Sequence, residues 1–234
     1  MKKVFCVTYA KTYLIVLLVF AATLCFGASS GYAAPPVKAG DLAPKIDKVL
    51  EKLDAVSCAA SGFIDNLDGT LCDCARDLMW EKKTGTVGVP ANCTSAGLCP
   101  DPHDVNNTYS WSSSGLDPDG TAYTVFLAQL NDEAGSGADC FAGYCDWRLP
   151  GAGTIPSGME LESIVDLGKG FCGDLVGACI NPIFGPTGPS NYWSSTTLLG
   201  FDDSAFCVNF SNGIVDLCNK SDNFFFARAV RPCS

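Results

Sequence analysis

Hydrophobic and polar positions recur with different periods along this chain, and each period assigns an element. An apolar run from Tyr13 to Phe26 follows Lys2, Lys3 and Lys11 and ends in small residues. This layout predicts a secretory signal peptide over residues 1–33, with Gly31 and Ala33 as the small side chains at a cleavage site after Ala33. The run is shorter than the roughly 20 residues that span a bilayer, and no second one follows, so an uncleaved anchor is the weaker reading. Leu24 stands before Cys25 where a lipoprotein signal wants Gly or Ala.

The next segment changes to a helical period. Ile46, Val49, Leu50, Leu53 and Val56 lie on one side, with Lys45, Asp47, Lys48, Glu51, Lys52 and Asp54 on the other. An amphipathic helix over 44–56 follows, within a leader spanning 34–57. It reads either as a helix packed on its own domain or as a spacer. Positions 46, 49, 53 and 56 also keep an a/d heptad spacing, which predicts a self-association stalk, although two heptads make a weak coiled coil.

From Gly62 the pattern is β, in a domain expected over 58–234. Phe63 to Asp65, Thr70 to Cys74 and Asp77 to Lys82 read as strands, with the Asp68-Gly69 turn closing a hairpin. A poorly patterned stretch runs from Lys83 to Pro118. A helical run follows through Ala122, Val125, Phe126 and Leu130. A second helix is expected where Ser157 and Glu160 form a capping box ahead of Leu161, Ile164 and Val165, with Gly168 to end it. Short strands between Gly- and Pro-rich loops complete the chain.

Near the C-terminus one hairpin can be read residue by residue. Asn212-Gly213 is the preferred pair for a two-residue type I′ turn, which sets Ser211 opposite Ile214, Asn209 opposite Asp216 and Cys207 opposite Cys218. Val208, Phe210, Val215 and Leu217 then share one apolar face, and the two cysteines face each other on the other side. Directly opposed residues lie within reach of a disulfide, so Cys207 and Cys218 are expected to be bonded.

Charge and cysteine content narrow the function. The expected signal peptide holds three of the 15 Lys and Arg and none of the 25 Asp and Glu. The remainder therefore carries 12 basic against 25 acidic side chains, net −13, a surface that repels nucleic acid and anionic membranes. It loses Cys6 and Cys25 as well, and the 12 cysteines that remain are an even set in an exported chain, which reads as disulfides. Metal ligation competes with that reading, but the chain has no CxxC pair. Localisation is expected to be extracytoplasmic.

Candidate chemistry is sparse. His103, the single histidine, lies in an Asp- and Asn-rich loop, which rules out two-histidine metal sites and leaves any Ser-His-Asp arrangement on one residue. A solvent-exposed loop residue is the expectation, and catalysis through it is expected to be absent. Asp65-Asn66-Leu67-Asp68-Gly69 and Asp117-Pro118-Asp119-Gly120 echo the start of a calcium loop, but neither reaches the Glu at position 12. Both read first as turns, with calcium as the alternative; no other cofactor is expected.

The ordered stretches FIDNLDGT (63–70), DLMWEK (77–82), PDGTAYTVFLAQLN (118–131), CFAGYCDWRLP (140–150), MELESIVD (159–166), NPIFGPT (181–187), YWSSTT (192–197), CVNFSNGIV (207–215) and ARAVR (227–231) resemble the C-terminal domain family of the Legionella collagen-like adhesin and its bacterial relatives. The resemblance implies an α+β, disulfide-rich, C-type-lectin-like fold, two helices around small twisted antiparallel sheets, distantly similar to formylglycine-generating enzymes. It also implies a surface or periplasmic adhesion module, and the stalked relatives make a homo-trimer the expectation for the 44–56 helix. Two departures stand out. GAGTIPSG intervenes after Arg148-Leu149-Pro150, and the acidic surface weakens any carry-over of glycosaminoglycan binding.

Within this frame Trp80, Trp147 and Trp193 read as core rather than as sugar-stacking platforms, Arg148 reads as a structural ion pair with Asp146, and Trp111 is the expected exposed aromatic. The expected function is non-catalytic recognition of an extracellular carbohydrate or protein. A structural cell-envelope component is the alternative, and a formylglycine-generating-like enzyme comes third. The expected ligand surface is the polar face of the C-terminal hairpin with its loops: Asp202, Asp203, Asn209, Asp216, Asn219, Lys220, Asp222 and Asn223. No catalytic or metal-binding residue is assigned.

Overall fold

A computed structural model describes residues 39–90, 92–93, 98–132, 139–153, 159–168, 172, 177–221 and 225–233. The expected signal peptide, the capping residue Ser157, and Asp222 and Asn223 lie outside the described residues. Helix α1 spans Ala39–Ser61, longer at both ends than its apolar periodicity. Strands β1 (Phe63–Asp65), β2 (Thr70–Asp73) and β3 (Leu78–Glu81) follow, and then α2, a π-helical Ala122–Leu127 passing into an α-helical Ala128–Leu130. Strands β4 (Asn191–Leu198), β5 (Phe201–Asn209), β6 (Val215–Asn219) and β7 (Val230–Pro232) complete the fold. The expected helix after Ser157 is reduced, among its described residues, to a 3₁₀ turn over Glu162–Ile164. The Glu160 carboxylate binds Arg148 and accepts from the Gly151 amide.

Two antiparallel sheets result, one in the order β1-β2-β3-β7 and one in the order β4-β5-β6. Period-2 alternation sends successive residues of β3, β4 and β5 into two different cores. Met79, Trp193 and Cys207 join Tyr109, Trp111, Phe126, Leu130 and Trp147 in the first core. Leu71, Trp80, Tyr192 and Val208 join Leu161, Phe184, Phe210 and Val230 in the second. Trp80, Trp147 and Trp193 are thus packing residues. Because both sheets feed both cores, neither sheet can shift without disturbing the other. Disulfides Cys58–Cys74, Cys72–Cys233, Cys93–Cys99, Cys140–Cys145, Cys172–Cys179 and Cys207–Cys218 tie the loops to this frame. The fold is α+β and disulfide-rich.

The C-terminal hairpin differs from its expected register. Val208 pairs with Val215, Cys207 with Asp216 and Ala205 with Cys218, a shift of two residues. The cause is Phe210. It is fully buried in the second core, where its amide donates to the Ser190 carbonyl and its carbonyl accepts from Cys179, so it is spent outside the ladder. Asn209 and Asn212 shape the longer turn by accepting from the Ser211 and Ile214 amides, and Gly213 closes it at φ 75°. A Cβ on Gly213 would lie 2.7 Å from Leu167 Cδ2, so the position also needs the missing side chain for space. A shift of two preserves which face each residue occupies. Cys207 and Cys218 therefore share a face as diagonal neighbours, with Cα atoms 6.0 Å apart, and are bonded.

Candidate functional site

The C-terminal sheet presents its polar residues unevenly. Asp202 and Asp203 at the start of β5, and Asp216 and Asn219 on β6, are exposed, whereas Asn209 is half-buried and holds the Ser211 amide and hydroxyl. Lys220 is only 2% exposed, which corrects its expected place on the solvated face. Its ammonium sits 4.1 Å from the Trp111 ring centre and donates to the Asp202 carbonyl at 2.7 Å and the Leu116 carbonyl at 2.9 Å. Burial lowers the Lys220 pKa, against an opposing pull from Asp202, Asp117 and Asp203. Trp111, expected to be exposed, is 3% exposed because it forms the floor beneath that ammonium, its indole N–H donating to the Ser194 carbonyl.

One buried amine thus joins the 112–119 loop to the β4–β5 hairpin, and three residues missed in the sequence come with it, beside Asp117. Leu116, Leu199 and Phe201 are 55%, 94% and 58% exposed, and Asp117 is exposed beside Leu116. The signal available was Leu198-Leu199-Gly200-Phe201, an apolar hairpin tip whose Gly200 takes φ 86°. Asp119 supports the same loop from below, its two carboxylate oxygens accepting from Ser112 and Ser113 and its pKa held down at about 2 chiefly by the Ser113 bonds.

Asp216 performs a different task. The Asn209 amide donates to the Ile214 carbonyl and the Lys220 amide to the Asp203 carbonyl, so ladder bonds fall on alternate residues and the Leu217 amide points away from β5. The Asp216 carboxylate accepts that amide at 2.8 Å, covering part of an otherwise open edge. Asn219 likewise accepts from the Ser221 amide and hydroxyl.

A second polar cluster is internal. Glu81 on β3 is fully buried and binds Lys83 Nζ at 2.8 Å and His103 Nδ1 at 2.7 Å through one oxygen, while its other oxygen accepts from the Ala229 amide. Arg228, also fully buried, donates to the Glu81 and Phe184 carbonyls and to Thr187. Burial alone would raise the Glu81 pKa, but the Lys83 charge, the His103 bond and Arg228 outweigh it and hold it at about 2. A carboxylate only accepts, so His103 Nδ1 carries the donated proton. The histidine is not a free loop residue: it is 18% exposed and its ring lies 4.2 Å from that of Phe141. This arrangement anchors a loop to a strand and leaves no base free at Nδ1.

The remaining expected sites resolve into local structure. Asp65 accepts from the Leu67 amide and pairs with Lys82, and Asp68 holds both the amide and hydroxyl of Thr70, so these carboxylates are used by their own turn. Cys93, Cys99 and Asp104 are the described residues close enough to share a metal, yet the two sulfurs are bonded to each other. Arg148 pairs with Glu160 rather than with Asp146, which Arg231 binds instead.

A family model described as the Lcl C-terminal domain matches residues 69–231, more than half of the chain and nearly all of the described domain. The match covers β2 to β6, α2 and the Lys220 clamp, and reaches into β7. Searches of curated proteins and of solved structures gave no match.

Proposed function

Because the chain belongs to the Lcl C-terminal domain family, an adhesin-related module, we propose that it recognises an extracellular carbohydrate or protein without covalent chemistry. Six disulfides suit an oxidising, extracellular setting, and no helix among the described residues is long and apolar enough to cross a membrane. The observation that carries the reading is the surface around Lys220, where a buried clamp fixes exposed apolar and acidic side chains on loops at one end of a doubly anchored sheet. Rigid scaffolds that present variable loops are the usual architecture of recognition sites, and lectin-like folds work this way. Glu81, Lys83, His103 and Arg228 in the interior are engaged with one another or with backbone groups, which favours a structural role for this cluster. Residues 34–234, oxidised and monodisperse, should bind a defined component of a combined glycan and extracellular-protein array. Asp202→Ala/Asp203→Ala/Asn219→Ala should abolish the signal with little change in melting temperature. Undiminished binding in that variant would move the site, and turnover of the bound component would end the non-catalytic reading.

A further inference from the structure

We propose that the apolar tip of the β4–β5 hairpin, with Leu116 and the acidic side chains around it, docks a cationic and apolar polypeptide segment that presents Lys or Arg next to a Leu- or Phe-sized side chain. This rests on the recognition reading above and names the partner class for the same surface.

Single exposed apolar side chains are ordinary, but a group of them gathered at one place marks an interaction site. Leu116, Leu199 and Phe201 are gathered by construction. Lys220 Nζ holds the Leu116 and Asp202 carbonyls at 2.9 and 2.7 Å, Phe201 precedes Asp202 in β5, and Phe201 pairs with Leu198 across the hairpin, next to Leu199. Folding leaves these large side chains in water at a point where the backbone is fixed by a buried ammonium, two carbonyls and the Trp111 ring.

The charge around them has one sign. Asp117 follows Leu116, Asp202 and Asp203 follow Phe201, and all three are exposed and act electrostatically on Lys220. The carboxylates of Asp117 and Asp202 take no hydrogen bond from any described residue, unlike those of Asp65, Asp68 and Asp119, which their own turns consume. Lys220 is the cation of the cluster and is withdrawn beneath it, so it compensates the carboxylates from below and leaves their outer side open. An anionic partner would be repelled here. A neutral glycan would use the carboxylates only as acceptors and leave their charge uncompensated. A segment with a cation beside an apolar side chain engages both halves of the surface.

The test is fluorescence anisotropy of three short labelled peptides, alternating Lys/Leu, Glu/Leu and Lys/Ser, titrated with oxidised residues 34–234. The Lys/Leu peptide should bind, and the other two should bind at least about tenfold more weakly. Leu199→Ser/Phe201→Ser and Asp202→Asn/Asp203→Asn should each weaken the Lys/Leu complex about tenfold. Asp47→Asn/Glu51→Gln, which removes the same charge from α1, should not. Equal weakening by both charge variants would show attraction to bulk charge and overturn the proposal, as would equal affinity for the Lys/Ser peptide or a preference for Glu/Leu. Should Leu199→Ser/Phe201→Ser fail to fold, the two charge variants still decide. If the peptides fail while a glycan from the array binds and is lost in Asp202→Asn/Asp203→Asn, the partner class is wrong and the recognition reading stands.

Discussion

An ammonium leaves water at low cost only when its donors find acceptors, and Lys220 finds two carbonyls and an indole face. Lys220→Met keeps the apolar stem and strands both carbonyls. It should destabilise the domain by roughly 2–3 kcal/mol in urea titrations, since charge-assisted bonds of this kind are worth that order each. A change within experimental error would mean that the clamp is not structural. Glu81 gives a pH prediction. Its folded pKa lies below the ordinary 4.5, so its ionised network stabilises the fold above that value, and the contribution is lost as pH falls from 4.5 towards about 2. Thermal melts should show wild type losing stability through that window. Glu81→Gln should start roughly 3–5 kcal/mol lower at neutral pH and lose less, because Lys83 is left buried without its partner. Neither residue was legible in the sequence. A Lys among Asn, Ser and Asp looks solvated, and a Glu at a strand end looks exposed. Each is buried with the help of partners more than a hundred residues away in the chain: Leu116 and Trp111 for Lys220, Arg228 and Ala229 for Glu81.

At the scale of elements, period and turn chemistry placed β1, β2, β3 and α2, because those patterns are local. The hairpin register failed by two residues for a reason that is not local: Phe210 spends its backbone groups on Ser190 and Cys179. The expected helix after Ser157 is, among its described residues, a 3₁₀ turn over Glu162–Ile164, and the Glu160 side chain beside it is engaged by Arg148 and Gly151 from outside the local sequence. On the β6 edge, Asp216→Ala should speed hydrogen exchange at the Leu217 amide while leaving the ladder amides of Asp216 and Cys218 protected. Unchanged exchange at Leu217 would remove the capping role. On α1, Val49 and Leu53 are 55% and 59% exposed, in keeping with a stripe that awaits other copies. Sedimentation should find residues 34–234 trimeric and a chain lacking 34–56 monomeric, and two monomers would end the stalk reading.

For the whole molecule, the disulfides act on very different spans of chain. Cys72–Cys233 closes a separation of 161 residues and Cys140–Cys145 one of 5. In the chain-entropy model these correspond to roughly 5 and 2 kcal/mol, so Cys72→Ser/Cys233→Ser should cost more stability than Cys140→Ser/Cys145→Ser in denaturant titrations. The opposite order would place the stabilisation in the folded state. That the cysteines form disulfides, and the family, were legible from composition and motif order; the pairings other than Cys207–Cys218 were not. The surface proposed for recognition was legible only in part: Asp202 and Asp203 stood out as polar, but their apolar neighbours meet Leu116 through a lysine that reads as solvent-facing. This clamped end of the sheet is where we propose that the molecule binds its ligand. Chemical-shift mapping of ¹⁵N-labelled residues 34–234 with the first ligand the array identifies tests it most directly. Perturbations should centre on Leu116–Asp117, Leu199–Asp203 and Asn219–Ser221; perturbations confined to α1 or to the Glu81–His103 face would contradict this placement.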